Sequence, residues 1–401
     1  MPAPPRPPKQ EQEPASSEIT EVAPGVLRLQ LQIDFTGLGH VNMYALVDDE
    51  GVALVDPGLP GPGTWSQILT RLEAADLRLD QVHTVIVTHS HPDHFGGAGR
   101  IAEEAGARLV AHAGFRVPWL VETWPDVIEL DDDGFPLGVP EPDGSTHGGH
   151  VHTGGEPPLT WQGATTWDPA KSFMPPAAEV ERIRSEREAQ PESYVAPVPT
   201  HRLADGDSIG LAGRDWFGVH TPGHTEDHLC LHDPTHGVLL TGDHVLPSIT
   251  PHISGMGSTD VHDPLDAFLE ALDRVASLDV GIALPAHGHP FDDVAGRAAA
   301  IAEHHEQRLH RLFAIAESLD GAGTVADFSE QLFPPRHWGL MAESETYAHL
   351  EHLRHTGRAR RRSHDGLLRY EIVEATAPDA AERADHRARR TAAVRSFGKT
   401  K

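Results

Sequence analysis

The chain has 401 residues, 38% of them apolar, and a formal net charge of −28 from 60 acidic and 32 basic residues. This length exceeds the size at which a single hydrophobic core usually stops growing, so we expect one large domain and a smaller one. The acidic balance disfavours polyanion binding over most of the surface, and the single cysteine, Cys230, excludes an internal disulfide framework.

The first 18 residues are rich in proline and polar residues, and they lack the apolar segment of a secretory signal. We therefore expect a disordered leader over residues 1–18 of a cytoplasmic protein. No apolar run reaches the roughly 18 residues of a membrane span, so no membrane association is expected.

The predicted elements begin with a hairpin, because HVNMYALV and GVALVDPG alternate apolar and polar residues on either side of DDEG. TWSQILTRLEAADL then has helical spacing at Trp65, Ile68, Leu69 and Leu72, with Thr64 as the expected N-cap. HTVIVTHS predicts a buried strand, GGAGRIAEEAG a helix and ARLVAH another strand. This order indicates an α/β layered fold.

Residues 116–200 interrupt the regular pattern with a segment rich in Pro, Gly, Trp and acidic residues, in which only AAEVERIRSEREAQ has a helical pattern. So long an irregular segment is typical of a cover loop or of disorder. Its tryptophans either form an apolar cover over a site or pack the insertion on the domain; they are Trp119, Trp124, Trp161 and Trp167.

Regular elements return after residue 200. HLCLHD and GVLLTGDH predict two strands, HDPLDAFLEALDRVASL a helix, VGIALPAHGHP a strand, and residues 293–319 a long helix. TVADFSEQLF and SETYAHLEHLRHTG predict two more helices, followed by a basic strand, the turn SHDG and the strand LLRYEIV. The large domain is predicted over 19–295 and a long helix plus winged-helix module over 296–374.

Charge is distributed unevenly along the chain. From Glu351 to Lys401 there are 13 Lys and Arg residues against 7 Asp and Glu, and residues 375–401 are expected to be a basic flexible tail. Four arginines near the predicted wing are candidates for contacting phosphates, although a charge run is usually a solvated face; they are Arg358, Arg360, Arg361 and Arg362.

Metal-ligating side chains follow the ends of four predicted strands, in THSHPDH, TPGHT, TGDH and AHGH. Imidazole and carboxylate groups are the ligands of catalytic zinc sites, and loops at one end of an α/β sheet converge. The candidate ligands are His89, His91, Asp93, His94, His224, Asp243 and His287.

The spacing within the first of these motifs has a physical use. His89 and His91 point the same way in an extended loop, whereas Asp93 and His94 begin a helix and point toward a second position. Seven ligands exceed one tetrahedral shell and suit two ions that share a carboxylate. Zinc is the default metal, and iron or manganese are alternatives. His244 is expected at the rim of the site, and Cys230 has no expected catalytic role.

These motifs resemble those of the metallo-β-lactamase superfamily over roughly residues 20–295. The resemblance implies an αββα sandwich with the metals at one edge, and it implies that Asp56 in VDPG braces the first loop. By the same resemblance His89, His91 and His224 hold one ion, Asp93, His94 and His287 hold the other, and Asp243 bridges them. The C-terminal module resembles the winged-helix extension of the lactamase-β-like hydrolases in this superfamily.

We therefore expect a dinuclear-metal hydrolase that uses a metal-bridging hydroxide on a small ester, thioester or related carbonyl substrate, with Asp93 moving the proton. The alternative is a metal-dependent endoribonuclease whose RNA contacts the four arginines. A non-catalytic DNA-binding regulator is a third hypothesis, and it is disfavoured by the complete ligand set. The sequence leaves a homo-oligomer open.

Overall fold

The computed structural model describes residues 9–35, 37–117, 165–171, 177–255 and 262–373. The predictions for Trp119, Trp124 and Trp161 and for the tail 375–401 lie outside these residues. Within the predicted leader, Gln10–Gln12 form a short 3₁₀ helix. Glu11 is buried there because its carboxylate accepts hydrogen bonds from the backbone N–H groups of Ser248 and Ile249. This part of the leader is therefore packed on the domain.

Seven strands form the first sheet. In spatial order they are β1 (Thr20–Ala23), β2 (Val26–Phe35), β3 (Leu38–Asp48), β4 (Gly51–Val55), β5 (Val82–Ile86), β6 (Arg108–His112) and β7 (His201–Leu203). The predicted hairpin is β3 and β4, which pair antiparallel. From β4 to β7 the strands are parallel, so the loops that leave β4 and β5 emerge at the same edge.

Five strands form the second sheet, in the spatial order β12 (Ile282–Pro285), β11 (Val238–Gly242), β10 (Leu229–Asp233), β9 (Arg214–His220) and β8 (Ser208–Leu211). The inner faces of the two sheets share one apolar core. Tyr44 and Ile86 from the first sheet meet Trp216, Leu231 and Leu240 from the second. Burial of these side chains holds the two sheets together.

Helices cover the outer faces, so the αββα sandwich predicted from the sequence is confirmed. On the first sheet lie α1 (Pro62–Ala74), α2 (Pro92–Phe95) and α3 (Ala98–Ala105), on the second lies α5 (Pro264–Ala276), and α4 spans Ala177–Ala189. The prediction of Thr64 as an N-cap is wrong. Helix α1 begins three residues earlier, because its N-cap is Gly61, whose φ of 122° favours glycine, and Pro62 occupies its first position.

The C-terminal region runs α6 (Val294–Ser318), β13 (Ala322–Thr324), α7 (Val325–Leu332), α8 (Leu340–His355), β14 (Ala359–His364) and β15 (Leu367–Ile372). Its antiparallel sheet has the order β13-β15-β14, and β13 was not predicted. Phe268 of α5 shares a core with Leu309 of α6 and Tyr347 of α8, so the region packs directly on the sandwich. Its assignment as a winged helix stays a prediction, as do the domain boundaries.

Across the described part of the chain, every helix is too short or too polar to cross a bilayer.

Candidate metal centre

The first group of candidate ligands gathers where β5, β9 and β11 end. His89 and His91 follow β5, His224 follows β9 and Asp243 follows β11; each offers one ligand atom, and these atoms all lie within 4.8 Å of one another. His89 Nε2 is 3.0 Å from His91 Nδ1, and His224 Nε2 is 3.5 Å from Asp243 Oδ2. The structure thus brings together four side chains that are up to 154 positions apart in numbering, from residue 89 to residue 243.

The second group consists of Asp93, His94 and His287, whose ligand atoms also lie within 4.8 Å of one another. Asp93 and His94 lie in the short helix α2, and His287 follows β12. Asp93 Oδ2 is 3.4 Å from His287 Nε2 and 3.6 Å from His94 Nε2. These three side chains are buried, so the group is enclosed.

Asp243 faces both groups. Its Oδ2 is 3.6 Å from His94 Nε2 and 3.5 Å from His224 Nε2, and its Oδ1 is 3.4 Å from His287 Nε2. One carboxylate therefore touches an imidazole of the first group and both imidazoles of the second. This is the place that the sequence resemblance implied for a bridging ligand.

The donor atoms that face the centre of the site fit a cation. Among the described residues, His94 Nε2, His224 Nε2, His287 Nε2 and Asp243 Oδ1 are buried and have no hydrogen-bond partner. A buried polar atom without a partner costs about 1–3 kcal/mol. Lone pairs of imidazole and carboxylate that converge in this way suit transition-metal ions, and ions held by the two groups would satisfy all four atoms.

The far side of each imidazole is fixed by a hydrogen-bond acceptor. His94 Nδ1 donates to Asp56 Oδ2 at 2.9 Å, His224 Nδ1 donates to the carbonyl of His252 at 2.7 Å, and His287 Nδ1 donates to the carbonyl of His40 at 2.6 Å. Because Nδ1 is the donor in each case, the neutral form of each ring presents its Nε2 lone pair to the site. Such partners hold the orientation of a metal-ligating histidine.

Asp56 braces the first loop, as the resemblance implied. Its Oδ1 accepts the backbone N–H of Thr88 at 2.8 Å, and its Oδ2 accepts the Thr88 hydroxyl at 2.7 Å. The same hydroxyl oxygen lies 3.1 Å from His89 Nδ1 and can accept its proton. Asp56 therefore acts on His94 directly and on His89 through Thr88.

Protonation states in the site match what metal ligands require. Burial, reinforced by the imidazole of His94, holds the pKa of His89 well below its ordinary value, and burial together with His224 lowers the pKa of His91 to about 3. Burial alone would raise the pKa of Asp93, but His94 and His287 outweigh it and lower that pKa to about 2. Neutral imidazoles and an ionised carboxylate are the forms that bind metal.

Next to the carboxylates the site favours positive charge. Burial opposes a charged imidazole, yet Asp243 and Asp93 raise the pKa of His287 to about 10. Asp93 and Asp243 likewise outweigh burial and raise the pKa of His94 well above its ordinary value. A divalent cation would supply the same positive charge at this position.

Two further histidines support the site and were not predicted from the sequence. His228 Nε2 accepts the backbone N–H of Asp243 at 3.0 Å, and its Nδ1 lies 2.7 Å from the Thr221 hydroxyl. His40 Nε2 accepts the N–H of Gly288 at 3.1 Å. In the sequence, each is a histidine at the end of a strand or inside one. Histidines in such positions are too common to predict a supporting role.

The prediction that His244 lies at the rim is wrong. Its side chain is fully buried, and its ring packs edge to face on Phe268 of α5 at a centroid distance of 4.9 Å. It follows Asp243 directly and points into the core beneath α5. Cys230 is also buried, and burial raises the pKa of its thiol to about 12, which agrees with the absence of a predicted catalytic role.

A third group, distant in sequence from the others, contains His305, Glu345 and His349. Most of its polar atoms pair with one another or with their neighbours, and His305 Nε2 is buried without a partner. His349 Nδ1 donates to the Glu345 carbonyl at 2.7 Å, so its Nε2 accepts the proton of His305 Nδ1 at 3.1 Å, and the Glu345 carboxylate contacts Arg308. We interpret this group as a hydrogen-bonded contact between α6 and α8.

Comparison with known proteins identifies the family. A family model described as the metallo-β-lactamase superfamily matches residues 36–287, which is more than half of the chain. The chain belongs to the metallo-β-lactamase superfamily. Metal-dependent hydrolysis is therefore its enzyme class, and the family implies divalent metal ions at the histidine and aspartate groups described above.

Three relatives of the chain are named as a metallo-hydrolase, a lactamase-like protein and a thioesterase. The chain is 26% identical over 326 residues to "Probable metallo-hydrolase YqjP" of Bacillus subtilis, covering 78% of this chain and 88% of that protein. It is 32% identical over 121 residues to "Lactamase-like protein aptB" of Emericella nidulans, covering 30% of this chain and 36% of that protein. It is 26% identical over 148 residues to "Atrochrysone carboxyl ACP thioesterase" of Aspergillus fumigatus, covering 34% and 44%. The last two alignments thus span less than half of the relative's length.

Solved structures of the same family extend the similarity beyond the catalytic domain. The metallo-beta-lactamase family protein TTHA1429 of Thermus thermophilus is 28% identical, covers 88% of this chain and 100% of that one, and has a TM-score of 0.63. A beta-lactamase domain protein of Burkholderia ambifaria is 27% identical, covers 90% and 96%, and has a TM-score of 0.66.

Proposed function

We propose that the protein is a dinuclear-metal hydrolase, with zinc as the default metal, that acts on a small ester, thioester or related carbonyl substrate. The observation that carries this proposal is the position of Asp243, whose two oxygens face both ligand groups at 3.4–3.6 Å from His287, His94 and His224. A single carboxylate that touches both groups suits two neighbouring ions better than one.

When bound, the metals would supply Lewis-acid charge and lower the pKa of a coordinated water. The chain's own residues supply the rest. His94, His224 and His287 are held in the Nδ1–H tautomer by Asp56 and two backbone carbonyls, so the ligand geometry is formed in advance. Asp93 Oδ2 lies within the second group, 3.4 Å from His287 Nε2. We assign Asp93 the role of accepting the proton from the attacking water and returning it to the leaving group.

Support for a carbonyl substrate comes from two sides. One relative is named a thioesterase, and although it aligns with only 34% of this chain, the aligned region is part of a shared family. The strong negative charge of the chain, −28 overall, disfavours a polyanionic substrate. We therefore place a small carbonyl compound ahead of RNA.

Three of the four arginines proposed to contact nucleic acid have partners within the chain. Arg361 Nη1 is 3.1 Å from Glu351 Oε2, Arg362 Nη2 is 3.4 Å from Glu371 Oε2, and the Arg358 guanidinium lies 4.5 Å from the ring centroid of Phe313. These contacts stabilise the C-terminal region and weigh against the endoribonuclease alternative. They do not favour a second function.

Turnover of a thioester, a lactone and a single-stranded RNA by the purified protein tests the proposal. Each substrate is assayed with wild type, with Asp243→Ala and with Asp215→Ala, an exposed aspartate on β9 that serves as a control. We expect ester or thioester cleavage that falls at least about 100-fold in Asp243→Ala, since losing the shared carboxylate removes several kcal/mol of charge stabilisation. RNA cleavage that disappears in Asp243→Ala, with inert esters, would reverse the assignment.

A further inference from the structure

The imidazole of His224 is oriented from a different part of the chain than the other ligands. His94 and His89 are braced by residues at the ends of β4 and β5, and His287 is braced by His40 within β3. The partner of His224 is the carbonyl of His252, which lies in the irregular segment after β11. The position of that carbonyl therefore depends on what holds this segment in place.

Helix α8 contacts the segment at three positions between residues 252 and 255. His252 Nδ1 is 3.5 Å from Glu345 Oε2, and Ser254 Oγ is 3.0 Å from Ser344 Oγ. The next residue, Gly255, has no room for a Cβ atom because the ring of Tyr347 packs directly against it. The segment thus follows the surface of α8 closely, and a shift of the helix would move the His252 carbonyl with it.

Glu345 is itself fixed from the far side. Only 8% of the residue is exposed, and its Oε1 is in contact with the guanidinium of Arg308 on α6. A buried carboxylate that is paired with a guanidinium has little freedom to move, because leaving its partner would strand both charges. The chain of contacts runs from Arg308 to Glu345, to His252 and to the Nδ1 of His224.

We propose that Glu345 is a positioning residue for the metal ligand His224, so that the C-terminal helices are part of the metal-binding unit. The inference rests on the proposed metal site and adds to it a residue more than a hundred positions away from its ligand. Burial of α8 agrees with this role, since every residue from Ala342 to Leu353 is buried. A helix so enclosed presents little surface to a nucleic acid.

The chain provides a matched control on the same helix. Glu343 is also 8% exposed and also pairs with a cation, since its Oε1 lies 2.6 Å from Lys171 Nζ. Its other oxygen accepts the indole N–H of Trp167 at 2.9 Å. Substitution of Glu343 therefore removes an equivalent buried ion pair from α8 without touching the described contact between Glu345 and His252.

The test is the zinc affinity of the full-length, metal-depleted protein, measured by competition with a chromophoric chelator. We expect Glu345→Ala to weaken one of two zinc sites by about 10- to 100-fold, the usual effect of removing an outer partner of a ligand, while Glu343→Ala leaves both affinities unchanged. The visible spectrum of the cobalt-substituted protein should change for Glu345→Ala alone. Glu345→Gln keeps an oxygen beside His252 Nδ1 and should restore most of the affinity.

A further variant keeps the test decisive if Glu345→Ala does not fold. Ser254→Ala removes the hydroxyl that pairs with Ser344 Oγ and should weaken the same zinc site by about 2- to 10-fold. A zinc affinity equal to that of wild type in Glu345→Ala would overturn the positioning role. If Glu345→Ala is unfolded, the same result in Ser254→Ala would overturn it. Zinc binding that is weakened equally in Glu343→Ala would also overturn it. A wild-type protein that binds no zinc would instead refute the proposed function.

Discussion

Replacing Asp56 with Asn tests whether the tautomer of His94 controls metal binding. Asp56 Oδ2 accepts the proton of His94 Nδ1 at 2.9 Å and the hydroxyl proton of Thr88 at 2.7 Å, while Oδ1 accepts the Thr88 backbone N–H. Asparagine has the same shape and tolerates the left-handed φ of 54° at this position. The substitution therefore changes hydrogen bonding and charge with little change in packing.

The magnitude follows from these contacts. If the amide oxygen keeps the bond to the Thr88 backbone, the amide NH₂ faces His94 Nδ1, which then becomes an acceptor. The proton moves to His94 Nε2, and the lone pair that should face the metal is lost. If His94 kept its proton on Nδ1, that N–H would face the amide N–H of the variant, and two donors would repel each other. We therefore expect metal affinity to fall about 10- to 100-fold, or about 1.4–2.7 kcal/mol.

Isothermal titration of metal-depleted protein with zinc measures this effect, and Asp233→Asn is the control. Asp233 is equally enclosed, pairs with Arg214 at 3.1 Å, and lies at the other end of β10 from the site. Both variants should lower the free energy of unfolding, but only Asp56→Asn should weaken zinc binding. Wild-type affinity in Asp56→Asn would refute the argument that His94 needs a fixed tautomer.

Three further results are expected. Trp167→Ala should lower the free energy of unfolding in urea by about 3–5 kcal/mol, because its ring packs on Tyr347 at 5.0 Å between centroids; an unchanged urea midpoint would show that this packing contributes little. Cys230 should react with a thiol reagent at pH 8 only after unfolding, because burial raises its pKa to about 12; rapid labelling of the folded protein would contradict its burial. Burial also holds the pKa of His349 well below 6.5, so the unfolded state binds more protons below that pH and stability falls as pH drops. His349→Gln should reduce that slope by up to about 1.4 kcal/mol per pH unit in urea unfolding of metal-free protein at pH 7.5 and 5.5, and an unchanged slope would exclude this histidine as a cause.

The sequence was sufficient to pick out the candidate metal ligands that the structure brings together, because both their residue types and their positions at strand ends indicate a metal site. Histidine and aspartate follow the ends of β5, β9, β11 and β12, and strand ends of an α/β sandwich meet at one edge. The residues that orient them were missed for a physical reason. His40 and His252 act through backbone carbonyls, which every residue has, so no side-chain pattern marks them.

Element boundaries failed where backbone geometry decided them. Thr64 was a reasonable N-cap by residue type, yet the Gly61–Pro62 pair starts α1 earlier. Helix α8 begins at Leu340, four residues before the predicted start, and its burial has no helical period because neighbours surround it on all sides. A periodic apolar pattern in the sequence predicts a helix with one buried face. It does not predict a helix such as α8, which is buried on every face.

The charges on α8 explain how so polar a helix can be enclosed. Glu343 pairs with Lys171 from the segment before α4, Glu345 with Arg308 of α6, and Glu351 with Arg361 of β14. Breaking one buried pair by removing a partner costs about 3–5 kcal/mol. Since each pair joins α8 to a different part of the chain, moving the helix as a unit would break all three together. The three ion pairs therefore hold α8 in one orientation against α6, β14 and the segment before α4.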